Sequence, residues 1–101
     1  MKFIIKPRGY GKTTDLIRLS AQTGKTILCA NRNQVKFTQN KAKGMNLLIT
    51  TPLSIDDNLN GYDLSSTNFL VDDAECMLVK LLGKLGIHHI DTIAMTVDNS
   101  I

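Results

Sequence analysis

Short apolar runs alternate with segments of helical spacing along the chain, and this alternation restricts the fold more than any other feature. Thr26-Ile27-Leu28-Cys29-Ala30 is an apolar run of the kind found in a parallel strand buried on both faces. Residues 2–5, Asn46 to Thr50, Asn68 to Asp72 and Asp91 to Val97 supply four further strand patterns. Between them, residues 13–22 read as a helix closed by Gly24. Asn31 caps a second helix over about residues 32–42, which ends before Gly44. Pro52 opens a short helix through Leu59, and Asn60-Gly61 is a turn. Ala74 to Leu85 place Met77, Leu78, Leu81, Leu82 and Leu85 at helical spacing, with Gly86 just past the end. The order β-α-β-α-β-α-β-α-β predicts an α/β protein: a three-layer, doubly wound parallel sheet of about five strands. Ligands of such sheets bind at the carboxyl ends of the strands.

At 101 residues there is room for one domain, residues 1–101. Apolar residues make up 43% and charged residues 21%, ordinary values for a globular chain. No window is long or apolar enough to span a membrane. Lys6, Pro7 and Arg8 interrupt any signal-peptide pattern, so a cytoplasmic protein is expected. Cys29 and Cys76 fall inside predicted elements without metal spacing and read as reduced core residues. His88-His89 reads as a loop or strand-entry feature.

The loop after the first strand pattern carries the chemistry. Residues 6 to 14 are Lys-Pro-Arg-Gly-Tyr-Gly-Lys-Thr-Thr, and Gly-Lys-Thr opens a helix. Backbone N–H groups of Arg8, Gly9, Tyr10, Gly11, Lys12, Thr13 and Thr14 would converge on phosphate oxygens at the positive end of that helix. Lys12 would reach the β- and γ-phosphates, and the Thr13 hydroxyl would ligate Mg²⁺. Lys6 stands where the usual loop has its first glycine, so the match is to a degenerate form. A plain surface turn is the alternative.

Phe69-Leu70-Val71-Asp72-Asp73-Ala74-Glu75 is an apolar strand ending in two carboxylates. Mg²⁺ takes few protein ligands, and Asp72 would be one of them. Asp73 would orient or deprotonate an attacking water. Both acids could instead cap the following helix, whose first turn favours negative charge.

Together these segments resemble the Walker A and Walker B motifs of P-loop NTPases, most closely the RecA-like motor domain of DEAD/DEAH helicases and phage terminase large subunits. Ile27 to Arg32 is similar to the strand-end segment that faces nucleic acid in such motors. Leu48-Ile49-Thr50-Thr51-Pro52 resembles their Thr-Pro motif, and Ile93 to Val97 occupies the place of their coupling motif. The resemblance implies a P-loop NTPase sheet in the order 1-5-4-2-3, with Thr96 between the Walker motifs as a γ-phosphate sensor. An ordinary strand residue is the alternative for Thr96. The second acid is Asp73 where family members usually have Glu, and a second motor half with its arginine finger is not expected within this chain.

The resemblance thus implies a minimal protein that binds ATP or another NTP with Mg²⁺. Its hydrolysis would be weak or dependent on a partner, and it would be an accessory protein of a phage or mobile element, active in the host cytoplasm. Two alternatives stand beside it: a nucleic-acid-binding or protein-interaction module without turnover, and a small nucleotide kinase. The second lacks the Arg-rich lid such kinases use.

Charge is unevenly distributed. Arg32, Lys36, Lys41 and Lys43 follow one another without an acid, whereas Asp56 to Glu75 carries six acids and no base. The basic stretch predicts contact with DNA or RNA phosphates, with Phe37 as a stacking residue. The alternative is a solvated helix face with Phe37 in the core.

Overall fold

The computed structural model describes residues 11–57, 59, 61, 64, 67–89, 91, 92 and 94. Helix α1 (Lys12–Thr23) starts at Gly11, whose φ of 85° places it in the left-handed region that glycine enters without penalty. It ends at Gly24, also left-handed, whose N–H donates to the Ser20 carbonyl. Strand β1 (Thr26–Cys29) follows at once. Helix α2 (Arg32–Gly44) is capped by Asn31, whose Oδ1 accepts from the Gln34 N–H at 2.8 Å. It closes with Asn46 in the left-handed conformation, while the Leu47 N–H bonds the Ala42 carbonyl and the Asn46 N–H bonds that of Lys43. Strands β2 (Leu53–Ser54) and β3 (Phe69–Val71) are short, and helix α3 (Ala74–Lys84) follows β3.

The sheet differs from the expected one. Among the described residues it has three strands, not five, all parallel and in the order β2-β1-β3. Leu28 pairs with Leu53 on one side of β1 and with Val71 on the other. This overturns the five-stranded doubly wound sheet of P-loop NTPase type, with its order 1-5-4-2-3. The expected strand at residues 2–5 lies outside the described residues. Of the expected strand at 91–97, Asp91, Thr92 and Ala94 are described and carry no regular structure.

The strand predicted at residues 46–50 is also absent. Its period-2 alternation is real, since Leu47 and Ile49 pack against the core while Leu48 is 94% exposed. However, the Leu47 N–H is already spent on the end of α2, and the ladder with β1 begins only at Leu53. Nor does Pro52 open a helix. Ser54 to Asp57 form a turn instead, in which the Asp56 N–H donates to Ser54 Oγ and the Ser54 N–H donates to Asp57 Oδ2.

The core is small. Leu16 and Ile17 of α1, Ile27 and Cys29 of β1 and Ala42 of α2 form one buried cluster, bordered by Val35, Met45, Leu47, Ile49 and Leu70. Helices α1 and α2 pack on each other and on β1.

Candidate functional site at the carboxyl edge of the sheet

The carboxyl end of β3 delivers Asp72. Its N–H donates to the Leu28 carbonyl at 3.0 Å, extending the β1–β3 pairing by one residue and fixing where the side chain emerges. Asp72 is buried at 5% exposure. A buried carboxylate needs hydrogen-bond donors, and Thr13 supplies one: its Oγ1 lies 2.9 Å from Asp72 Oδ2 across 59 residues of sequence. The two residues assigned to the metal from sequence thus meet in the fold.

Thr13 belongs to the first turn of α1, with Lys12 before it and Thr14 after it, all three partly buried. The Gly11 cap offers no side-chain acceptor to that turn. The helix start therefore presents main-chain N–H groups and its positive dipole end on the side where the Asp72–Thr13 pair lies. A carboxylate oxygen beside a hydroxyl is a hard donor set, suited to a cation that retains most of its water, as Mg²⁺ does. Among the described residues no three His, Cys, Asp or Glu side chains cluster as ligands for an ion.

Asp73 takes another course. Its Oδ1 accepts from the Cys76 N–H at 3.3 Å, so the side chain caps α3. Its backbone lies at φ 55°, ψ 59°, a left-handed conformation that costs a non-glycine residue about 1 kcal/mol or more. Helix capping is one of the two readings of the acid pair, and the bond to the Cys76 N–H is such a cap. Arg8, Gly9, Tyr10 and Thr96 lie outside the described residues.

The predicted basic group divides. Arg32 Nε lies 2.8 Å from Asp57 Oδ1, joining the start of α2 to the turn after β2. Lys36 and Lys43 are exposed on α2, and the Lys41 ammonium lies 5.5 Å from the centroid of the Phe37 ring. Phe37 is 55% exposed, which removes it from the core.

One residue of this edge escaped the sequence reading. Lys80 of α3 donates to the Ala30 carbonyl at 2.6 Å and to Asp56 Oδ2 at 2.5 Å, tying α3 to the ends of β1 and β2. Its position three residues after buried Met77, on the inward side of the helix, was the available signal. The hydrogen bond from Lys80 holds the Asp56 carboxyl below the usual carboxylate range, against some opposing desolvation and with help from the charges of Lys80, Lys84 and Arg32. Burial pushes the Cys29 thiol up to about 11; a contact with Thr38 opposes the shift, and the Asp72 charge adds to it. Cys29 is therefore a neutral, inert thiol at physiological pH.

At the amino ends of the strands, Thr26, Thr50, Thr51, Leu53, Thr67 and Phe69 line a half-open cleft of about 190 Å³. It lies at the other end of the strands from Thr13 and Asp72. Comparison with protein-family models, with curated proteins and with solved structures returned no match. Among the described residues, no helix is long and apolar enough to cross a membrane.

Proposed function

We propose that this chain binds ATP or another nucleoside triphosphate with Mg²⁺, and that it hydrolyses the nucleotide slowly or only with a partner. The observation that carries the reading is the Thr13–Asp72 hydrogen bond. It joins a Gly-Lys-Thr helix start to the strand-end carboxylate that a phosphate site requires beside its metal. In this reading Thr13 and Asp72 hold the ion, Lys12 contacts the β- and γ-phosphates, and the first-turn N–H groups of α1 take the remaining phosphate oxygens. Bound Mg²⁺ would neutralise phosphate charge. The residues assigned in the same way from sequence alone are Arg8, Gly9 and Tyr10 on phosphate and Thr96 as a γ-phosphate sensor.

Turnover is the weaker part of the activity. To orient a water, the Asp73 carboxylate would have to leave its bond to the Cys76 N–H. Phosphoryl transfer without an arginine finger also forfeits about 10³ to 10⁵ in rate. A protein partner that supplies this arginine, or a second motor half, would complete the site. The free thiols of Cys29 and Cys76 suit a reducing compartment such as the cytoplasm, that of the host if the chain is phage-encoded.

Thermal melts with and without ATP·Mg²⁺ test the reading. The parent should gain about 2.7 kcal/mol at a ligand concentration of 100 Kd. Lys12→Ala and Asp72→Ala should abolish most of that gain. A parent that shows no ligand-induced rise, or a Lys12→Ala variant that keeps all of it, would remove the assignment.

A further inference from the structure

Helix α2 turns Val35, Thr38, Ala42 and the following Met45 toward the core. On its other side, Asn33, Lys36, Phe37, Asn40 and Lys41 recur at i, i+3, i+4, i+7 and i+8, the spacing of one continuous helix face. Asn33, Lys36, Phe37 and Asn40 are exposed, Lys41 is partly so, and Lys43 is exposed one turn beyond Asn40. No acidic residue occurs anywhere in α2. A large aromatic ring left 55% exposed on a short polar helix loses the burial energy it would gain in the core.

From this face we infer a docking surface for single-stranded nucleic acid, formed by Phe37 as a stacking platform and by Lys36, Lys41 and Lys43 as phosphate contacts. The Lys41 ammonium lies over the Phe37 ring, 5.5 Å from its centroid, so a base stacking on that face would displace the cation to within reach of its own backbone. The amides of Asn33 and Asn40 flank the ring and offer donors and acceptors to base edges. Arg32 is excluded, because Asp57 holds it at the other end of the helix. Charge selects a polyanion, and the exposed ring favours unpaired bases over a duplex or an acidic peptide. The surface lies on the outer side of α2, apart from the Thr13–Asp72 pair, and does not depend on the nucleotide reading.

Fluorescence anisotropy with labelled oligo(dT), without nucleotide, tests it on the full chain. With three phosphates contacted, log affinity should fall against log salt with a slope of about −2. Phe37→Ala and Phe37→Leu should each weaken oligo(dT) binding by roughly fivefold or more, whereas Phe37→Trp retains it. Leu keeps the size and hydrophobicity of the site but has no π face, so a folding defect confined to Phe37→Ala cannot be mistaken for lost stacking. Lys36/Lys41/Lys43→Glu should abolish binding. The proposal fails if the triple variant binds as the parent does, or if Phe37→Leu is unchanged. It also fails if duplex DNA or poly-glutamate competes as well as oligo(dT).

Discussion

The two halves of this molecule are built to different standards. The α1–β1–α2 half contains the whole of the buried cluster: Leu16, Ile17, Ile27, Cys29 and Ala42. The β3–α3 half buries Met77 and Asp72 but leaves Val71, Leu78, Val79, Leu81 and Leu85 substantially exposed. The candidate site lies on the seam, with Thr13 from the well-packed half and Asp72 from the other. Asp72 is held in place by the β1–β3 ladder, by Thr13 and, through α3, by Lys80. A site assembled this way inherits the stability of its weaker side, and so a ligand bridging the seam would strengthen the half that needs it.

The contrast breaks most visibly in the core. Ile17→Ala should cost about 2–5 kcal/mol in urea unfolding, as expected for a fully buried aliphatic side chain. Leu81→Ala, at 47% exposure, should stay within about 0.5 kcal/mol of the parent. Equal costs at the two positions would mean that the outer face of α3 is covered in the folded protein, and the two halves would no longer differ.

A smaller effect is expected where the two halves join. Asp73→Ala removes the α3 cap while keeping a Cβ at positive φ, and should cost about 1–2 kcal/mol. Asp73→Gly loses the same cap but relieves the backbone, and should be measurably milder. If Gly is no better than Ala, the left-handed conformation of Asp73 carries no penalty.

The smallest effect concerns pH. The folded Asp56 carboxyl titrates below its ordinary value of 3.8, chiefly through the hydrogen bond from Lys80. A depressed carboxyl contributes stability above its unfolded pKa and loses it as pH falls through the folded value. The parent should therefore lose this contribution only below about pH 4, and Lys80→Met should lack that part of the acid dependence. Paired unfolding curves from neutral pH into the acid range would show it. Identical pH profiles would mean that the Lys80–Asp56 contact does not link α3 to the sheet in solution.

Local signals survived the comparison with the structure. The second helix was legible from the Asn31 cap, and the third from its apolar spacing; Gly24 and Gly86 mark helix ends as read. Capping and periodicity are decided within a turn or two of chain, and those residues are adjacent in sequence. Pairing was not legible. Residues 47–50 alternate as a strand does, yet alternation records which side faces the core and says nothing about which backbone lies alongside. The charge blocks did not reveal pairing either, because Arg32 and Asp57 are 25 residues apart in sequence and 2.8 Å apart in the fold.

By itself, then, the sequence determined the three helices, the Asn31 cap, the helix ends at Gly24 and Gly86, the apolar β1 run, and the presence of both a Gly-Lys-Thr helix start and a strand-end carboxylate. Only the tertiary structure decided that β2 begins at Leu53, that Phe37 stays outside the core, that Asp73 caps α3, and that Thr13 reaches Asp72. The physical reason is the range of the interactions. Propensity and capping act between neighbours, whereas register, burial and long-range hydrogen bonds depend on what the remainder of the chain brings alongside.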